Sequence, residues 1–285
     1  MKMIEIKSLT KDYKNVRALD NVTLTFEENK IYGLLGRNGA GKSTLLNIIT
    51  DKVFPSQGEV LVDGEKVSNN DEVLGKMFLM NEKNYYPEAM KVYEIFNWTD
   101  KFYPDFDLVS AFELAEKFKL NTKSRVKALS TGYASIFKAI VALCSNAKYI
   151  LLDEPVLGLD ANHRDLLYKV ILDRYATVPR TIIISTHLIE EVSSVIEELV
   201  IIHNGKVLLQ DSCEKVLSSG FTITGKIQDV DEYINGKDVI STETFGGLKN
   251  AYVKGKPQNV PSSLEVTKLD LQKLFIQLTN DKEGL

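Results

Sequence analysis

The run Gly36-Arg37-Asn38-Gly39-Ala40-Gly41-Lys42-Ser43-Thr44 has the spacing G-x-x-x-x-G-K-[ST]. Glycines at these positions let the backbone turn its N–H groups inward around phosphates, and a helix that begins just after them aims its positive end at the same anions. In that arrangement the Lys42 ammonium reaches the β and γ phosphates, and the Ser43 hydroxyl ligates Mg²⁺. A second element, Tyr149-Ile150-Leu151-Leu152-Asp153-Glu154-Pro155, is an apolar run ending in two adjacent carboxylates. Set against the phosphate loop, Asp153 would hold Mg²⁺ through its water shell while Glu154 polarised an attacking water. A strand ending in Asp-Glu is by itself a solvated turn. Pairing with the phosphate loop makes the catalytic reading the better one.

The elements that must position these groups are legible as hydrophobic periods. Ile31 to Leu35 read as a buried strand, and Leu45, Leu46, Ile48 and Ile49 repeat at helical spacing, giving strand, glycine-rich loop and helix in order. Ahead of them Ile4, Ile6, Val22, Leu24 and Phe26 alternate with polar residues, which predicts a half-buried antiparallel sheet. Residues 58–68 read as a hairpin about Asp63-Gly64. From about residue 85 to 145 the pattern is helical and aromatic, a helical insertion. Short apolar runs at 149–152 and 182–184, separated by a helical pattern over 163–175, predict a largely parallel α/β sheet. Runs at 199–202 and 207–209 meet across Asn204-Gly205 as a further hairpin. Beyond about residue 216 come β-like pieces at 221–224, 239–242 and 251–253, then an amphipathic helix over 270–279; residues 216–285 are expected to form a small accessory domain.

Composition narrows the classes. With 44% hydrophobic and 26% charged residues in 285, the chain can bury a core. No apolar run approaches the roughly 18 residues of a membrane-spanning helix, and Met1 to Lys7 show no secretory pattern, so cytoplasmic residence is expected. A net charge of −4 with interspersed signs offers no basic stripe for nucleic acid. Cys144 and Cys213 lack metal-ligand spacing and read as reduced bystanders.

Further elements occur in a fixed order: Lys11-Asp12-Tyr13 near the start, Leu129-Ser130-Thr131-Gly132-Tyr133 before the acidic strand, Gly158-Leu159-Asp160 after it, and Ser185-Thr186-His187 after residues 182–184. With them the chain resembles the ATP-binding subunits of ABC transporters over at least residues 1–215. The resemblance implies a P-loop NTPase fold of the ABC ATPase kind: α/β, with an antiparallel β subdomain, a helical subdomain and a small α+β C-terminal domain. It implies ATP and Mg²⁺ as ligands, hydrolysis of ATP, and a peripheral position on the inner face of the cell membrane through transmembrane permease subunits. It also implies a head-to-tail ATPase dimer, homo- or heteromeric, in which Ser130 and Gly132 grip the γ-phosphate of ATP held by the opposite subunit. On the same basis Asp160 crosses the dimer interface, His187 contacts the γ-phosphate, and Tyr13 stacks on adenine.

Two departures from that family stand out. The usual glutamine after the strand at 77–80 is replaced by Asn81-Glu82, either of which can offer an oxygen to Mg²⁺ or water. The signature has Thr131 and Tyr133 where the family has Gly and Gln. The pattern Phe102-Tyr103-Pro104-Asp105-Phe106-Asp107 resembles a Gram-positive subgroup that exports peptides, bacteriocins or phenol-soluble modulins. ABC-type ATPases acting on nucleic acid or ribosomes fit poorly, because the chain has one motif set, no long coiled coil and no basic linker.

Overall fold

In the computed structural model, which describes residues 2–279, the chain begins with a long antiparallel pair. β1 (Met3–Tyr13) and β2 (Val16–Glu27) match Ile4 with Phe26 and Ile6 with Leu24, and all four side chains are buried. β3 (Ile31–Leu35) leads through the phosphate loop into α1 (Lys42–Ile49). β4 (Gln57–Val62) then pairs with β1, and β5 (Glu65–Lys66) folds back on β4 to complete a sheet ordered β2-β1-β4-β5. Between β4 and β5, Asp63 and Gly64 both have positive φ, 55° and 86°, as a two-residue hairpin with native twist requires. The Asp63 carboxylate accepts from Lys148 and Tyr149, tying this turn to the start of the acidic strand.

A short α2 (Asp71–Gly75) precedes β6 (Met77–Met80), and residues 81–91 form an irregular segment before α3 (Val92–Phe102). Helix therefore starts at Val92 rather than near residue 85: the tyrosines at 85 and 86 belong to the loop. α4 (Leu108–Lys117) is capped by Asp107, which also accepts from Arg174. α5 (Thr131–Cys144) is the central helix of the insertion; every residue from Ser135 to Cys144 is buried. Phe137 packs against Tyr86 and Phe96, so aromatic contacts join α5 to α3 and to the loop.

β7 (Tyr149–Asp153), α6 (Ala161–Thr177), β8 (Thr181–Thr186), α7 (Ile189–Val192), β9 (Glu198–His203) and β10 (Lys206–Ser212) complete the main body. The second sheet runs β10-β9-β3-β8-β7-β6, parallel throughout except for the antiparallel β9–β10 hairpin. Covered on both faces, β3, β7 and β8 are buried at every residue, which is why they read as continuous apolar runs instead of alternating ones. Asn204 and Gly205 turn the β9–β10 hairpin with φ of 47° and 74°.

After α8 (Cys213–Ser218) come β11 (Gly220–Lys226), α9 (Ile227–Ile234), β12 (Val239–Phe245), β13 (Leu248–Lys254), β14 (Glu265–Lys268) and α10 (Leu271–Thr279). The four strands form an antiparallel sheet ordered β12-β13-β11-β14, with Phe221, Ile223, Val230, Ala251 and Val253 in its own small core. Lys268 lies in β14, and Asp270 accepts from the Lys273 N–H at the head of α10, so this helix begins at Leu271. Leu271, Leu274 and Phe275 of α10 share the main core with Ile189 and Val192 of α7. Residues 280–285, the end of the expected accessory domain, lie outside the described residues.

Candidate functional site

β3 is a central strand, so the chain leaving it at Gly36 emerges at the carboxyl edge of the parallel sheet, where α/β folds bind ligands. Close packing there demands glycine at two places. A Cβ on Gly36 would lie 2.6 Å from the Ile202 carbonyl oxygen, and one on Gly41, whose φ is 109°, 2.5 Å from the Ala18 carbonyl oxygen. The loop closes over Lys42, which is 6% exposed and donates to the Gly36 carbonyl at 2.7 Å. Burial pushes the Lys42 pKa down, with Glu154 and Asp153 opposing. A buried ammonium met by its own loop's carbonyls and a carboxylate 3.8 Å away suits an anionic ligand.

The acidic pair arrives on β7. Asp153 is in register with Ser185 of β8 and accepts from its hydroxyl at 2.9 Å. Burial raises the Asp153 pKa, opposed by hydrogen bonds from Ser43 and Ser185. Glu154 adopts the left-handed region, φ 48°, a conformation that costs a non-glycine residue on the order of 1 kcal/mol or more unless its surroundings fix it. They do: its N–H donates to the Ser185 carbonyl at 2.9 Å, its Oε2 accepts from Thr186 Oγ1 at 3.2 Å, and its Oε1 lies 3.0 Å from His187 Nδ1. Residues 185–187 thus act as a bracket for both carboxylates. Glu154, His187 and residues 38–44 of the phosphate loop, with Ala18, Glu82 and Leu157, line a cavity of about 360 Å³. Asn38, exposed, and Gly39, Ala40 and Thr44 belong to its wall, whereas Gly36 and the exposed Arg37 are not among its lining residues.

The cradle fits a nucleotide with Mg²⁺. Asp153 and the Ser43 hydroxyl supply hard oxygens beside the loop, and Mg²⁺ is ordinarily held by one or two such groups together with substrate phosphates.

The signature residues form a separate, open patch. Ser130 caps α5 by accepting from the Tyr133 N–H at 3.3 Å, and it is exposed. Gly132 abuts the Gly158 carbonyl, which a Cβ would approach to 2.5 Å. Asp160 caps α6 through the His163 N–H at 2.9 Å, which with His163 Nδ1 holds its carboxyl below the usual range. Tyr13 is not among the cavity's lining residues: it is 43% exposed at the β1–β2 turn, with the Lys11 ammonium 4.8 Å above its ring.

Asn81 and Glu82 part company. Glu82 lines the nucleotide cavity, whereas Asn81, 8% exposed, lines a second groove of about 350 Å³ together with Tyr85, Tyr86, Tyr103 and Lys138. Two features escape the motif reading. Lys138, on the buried run of α5, is 6% exposed and donates to the backbone carbonyls of Asn81 at 2.8 Å and Glu82 at 2.5 Å. The available signal was a lysine inside Ile136 to Cys144, where an apolar residue is expected. Arg164 of α6 pairs with Glu191 of α7, joining the helices that follow Asp160 and His187; no local pattern announces a pair so distant in sequence.

A family model described as ABC transporter matches residues 19–157. The ABC transporter ATP-binding protein YtrB of Bacillus subtilis is 30% identical over 190 residues, which cover 67% of this chain and 65% of that protein. The lipopolysaccharide export system ATP-binding protein LptB of Haemophilus influenzae is 30% identical over 228 residues, 76% of this chain and 94% of LptB. The galactose/methyl galactoside import ATP-binding protein MglA of Clostridium perfringens is 27% identical over 92% of this chain, which spans 53% of MglA. Among solved structures, the dimeric bacterial ABC transporter cassette MJ0796 superposes with a TM-score of 0.67 at 24% identity, over 74% of this chain and 99% of that one.

Proposed function

The chain belongs to the ABC transporter ATP-binding family, and from that premise we propose that it binds ATP with Mg²⁺, hydrolyses it, and powers transport through separate membrane subunits. The observation that carries this reading is the bracket of residues 185–187, which holds Asp153 and Glu154 beside the buried Lys42. Ser43 and Asp153 would hold Mg²⁺, which would neutralise phosphate charge. Glu154 orients the water that attacks the γ-phosphorus and takes up its proton, while the β–γ phosphoanhydride bond breaks and ADP leaves. Lys42 carries the charge that develops on the transferred phosphoryl group. With His187 Nδ1 turned to Glu154, Nε2 is the nitrogen that serves the same oxygens.

Among the described residues no helix is long and apolar enough to cross a membrane, and the groove containing Tyr85, Tyr86 and Tyr103 is our choice for the face that receives the membrane subunits. The working unit is a dimer, because Ser130 and Gly132 stand apart from the phosphate loop of their own chain. The relatives include a named export protein and a named import protein; the pattern over 102–107 together with the 129–133 signature favours export, of peptides. Co-purification from native membranes tests the reading. Membrane subunits that accompany the chain and stimulate its ATP turnover support it; ribosomes in their place, with no membrane subunit, would sink it.

A further inference from the structure

We propose that Lys138 is a positioning residue that fastens the backbone of Asn81 and Glu82 to α5, so that the metal side of the nucleotide cavity and the signature end of the helix move as one unit. The inference rests on the ATP-hydrolysing reading above. It begins from an anomaly: an ammonium buried to 6% exposure in a helix segment whose neighbours Phe137, Ala139 and Ile140 are fully or almost fully buried. Such a charge is costly unless its hydrogens are taken up, and a methionine would fill the same space at no such cost. The ammonium is met by two successive carbonyls, those of Asn81 at 2.8 Å and Glu82 at 2.5 Å. It therefore fixes the backbone where β6 gives way to the irregular segment 81–91 and leaves both side chains available.

Those side chains lie on opposite sides of the attachment. Glu82 lines the nucleotide cavity and Asn81 the tyrosine-rich groove, whose wall also includes Lys138. Lys138 lies eight positions after Ser130 on one helix, a distance of roughly 12 Å. A displacement of the Asn81–Glu82 backbone on either side is thus delivered to a rigid rod that ends in the signature. An apolar residue at 138 would preserve the packing and lose this attachment.

The test uses the full chain carrying K138M, with K138R as the conservative variant and K42A as a control. Couplings through such links change function by about 2- to 30-fold, so K138M should lower kcat about 10-fold, with KM for ATP within about 2-fold. The Mg²⁺ concentration for half-maximal turnover should rise, and K138R should recover part of the loss. Independently of turnover, amide exchange over residues 81–86 should quicken in K138M while that of α5 stays unchanged. Unchanged exchange at 81–86, or equal losses in kcat, ATP affinity and urea midpoint, would overturn the proposal, the second by showing an ordinary packing role. If K42A turns over like wild type, the ATPase reading fails instead, and the exchange measurement still decides the role of Lys138.

Discussion

The phosphate-loop face and the signature face of this chain are built in opposite ways. On the first, Lys42 and Asp153 are 6% and 3% exposed and the Glu154 side chain 12%, and every one is engaged by a neighbour from another element. On the second, Ser130 is exposed and spends its hydroxyl on its own helix, while the Asp160 side chain is 64% exposed. A pre-ordered polar site costs no reorganisation when charge develops. An open helix terminus does nothing until a ligand is brought to it. One chain thus holds one finished half and one unfinished half, and on the dimer proposed above a complete site would join unlike halves from two subunits. The halves touch within the chain, since Ser135 donates to the Leu157 carbonyl at 2.8 Å and Leu157 lines the cavity.

The largest effect should come from the finished half. Glu154→Gln keeps the volume but removes the general base, and loss of such a group costs about 10² to 10⁴ in rate. ATP binding survives, so the variant should accumulate as a dimer with ATP and Mg²⁺ and stay monomeric without nucleotide. Light scattering at high protein concentration reads this directly; a monomer with ATP demonstrably bound would break the two-half picture. Lys42→Ala should abolish turnover and weaken ATP binding by about 10- to 150-fold, the equivalent of about 1.5–3 kcal/mol for a lost charge-assisted hydrogen bond. Fluorescent-nucleotide titration is the check, and unchanged affinity would remove Lys42 from the site.

Gly132→Ala tests the unfinished half. The added methyl must push against the Gly158 carbonyl at 2.5 Å, displacing the two loops of that face. The expected result is loss of the ATP-dependent dimer in the Glu154→Gln background with ATP affinity of the monomer within about 2-fold, because the phosphate loop is untouched. A dimer of undiminished stability would show that this face takes no part. Weaker still should be the contrast between Glu82→Ala and Asn81→Ala. Glu82 lines the nucleotide cavity and Asn81 does not, so Glu82→Ala should be the more damaging in partner-stimulated ATP turnover. The reverse ranking would refute the assignment.

Legibility in the sequence followed the same division. The residues proposed for the finished half stand out where they are contiguous, in the loop of 36–44 and the pair 153–154; His187 is supplied by the resemblance, and the hydrogen bonds of Ser185 to Asp153 and of Thr186 to Glu154 are visible only in the fold. The buried runs β3, β7 and β8 were equally plain, since a strand covered on both faces cannot alternate. β14 gave no signal because all four of its residues are exposed, and α2 and α7, five and four residues long, are too short for a helical period to register. Lys138 was missed for another reason: its partners are backbone carbonyls 56 and 57 positions away, and a carbonyl carries no sequence signature.

Tyr13 should give the smallest effect and the sharpest division between the halves. By resemblance it belongs with the finished half, yet at 43% exposure, outside the cavity lining and under the Lys11 ammonium, it looks like a group waiting for its ligand. A ring that stacks on adenine contributes about 0.5–1.5 kcal/mol, so Tyr13→Ala should weaken ATP binding by about 2- to 12-fold and Tyr13→Trp should preserve it. The ring cannot act on phosphates, so affinity for tripolyphosphate, which has no base, should be the same in wild type and Tyr13→Ala. Equal losses for both ligands would mean that the substitution disturbs the β1–β2 turn and reaches the loop through Ala18, whose carbonyl packs on Gly41. No loss for either would leave the adenine without a protein partner at this position and make the phosphate contacts the whole of nucleotide recognition on this face.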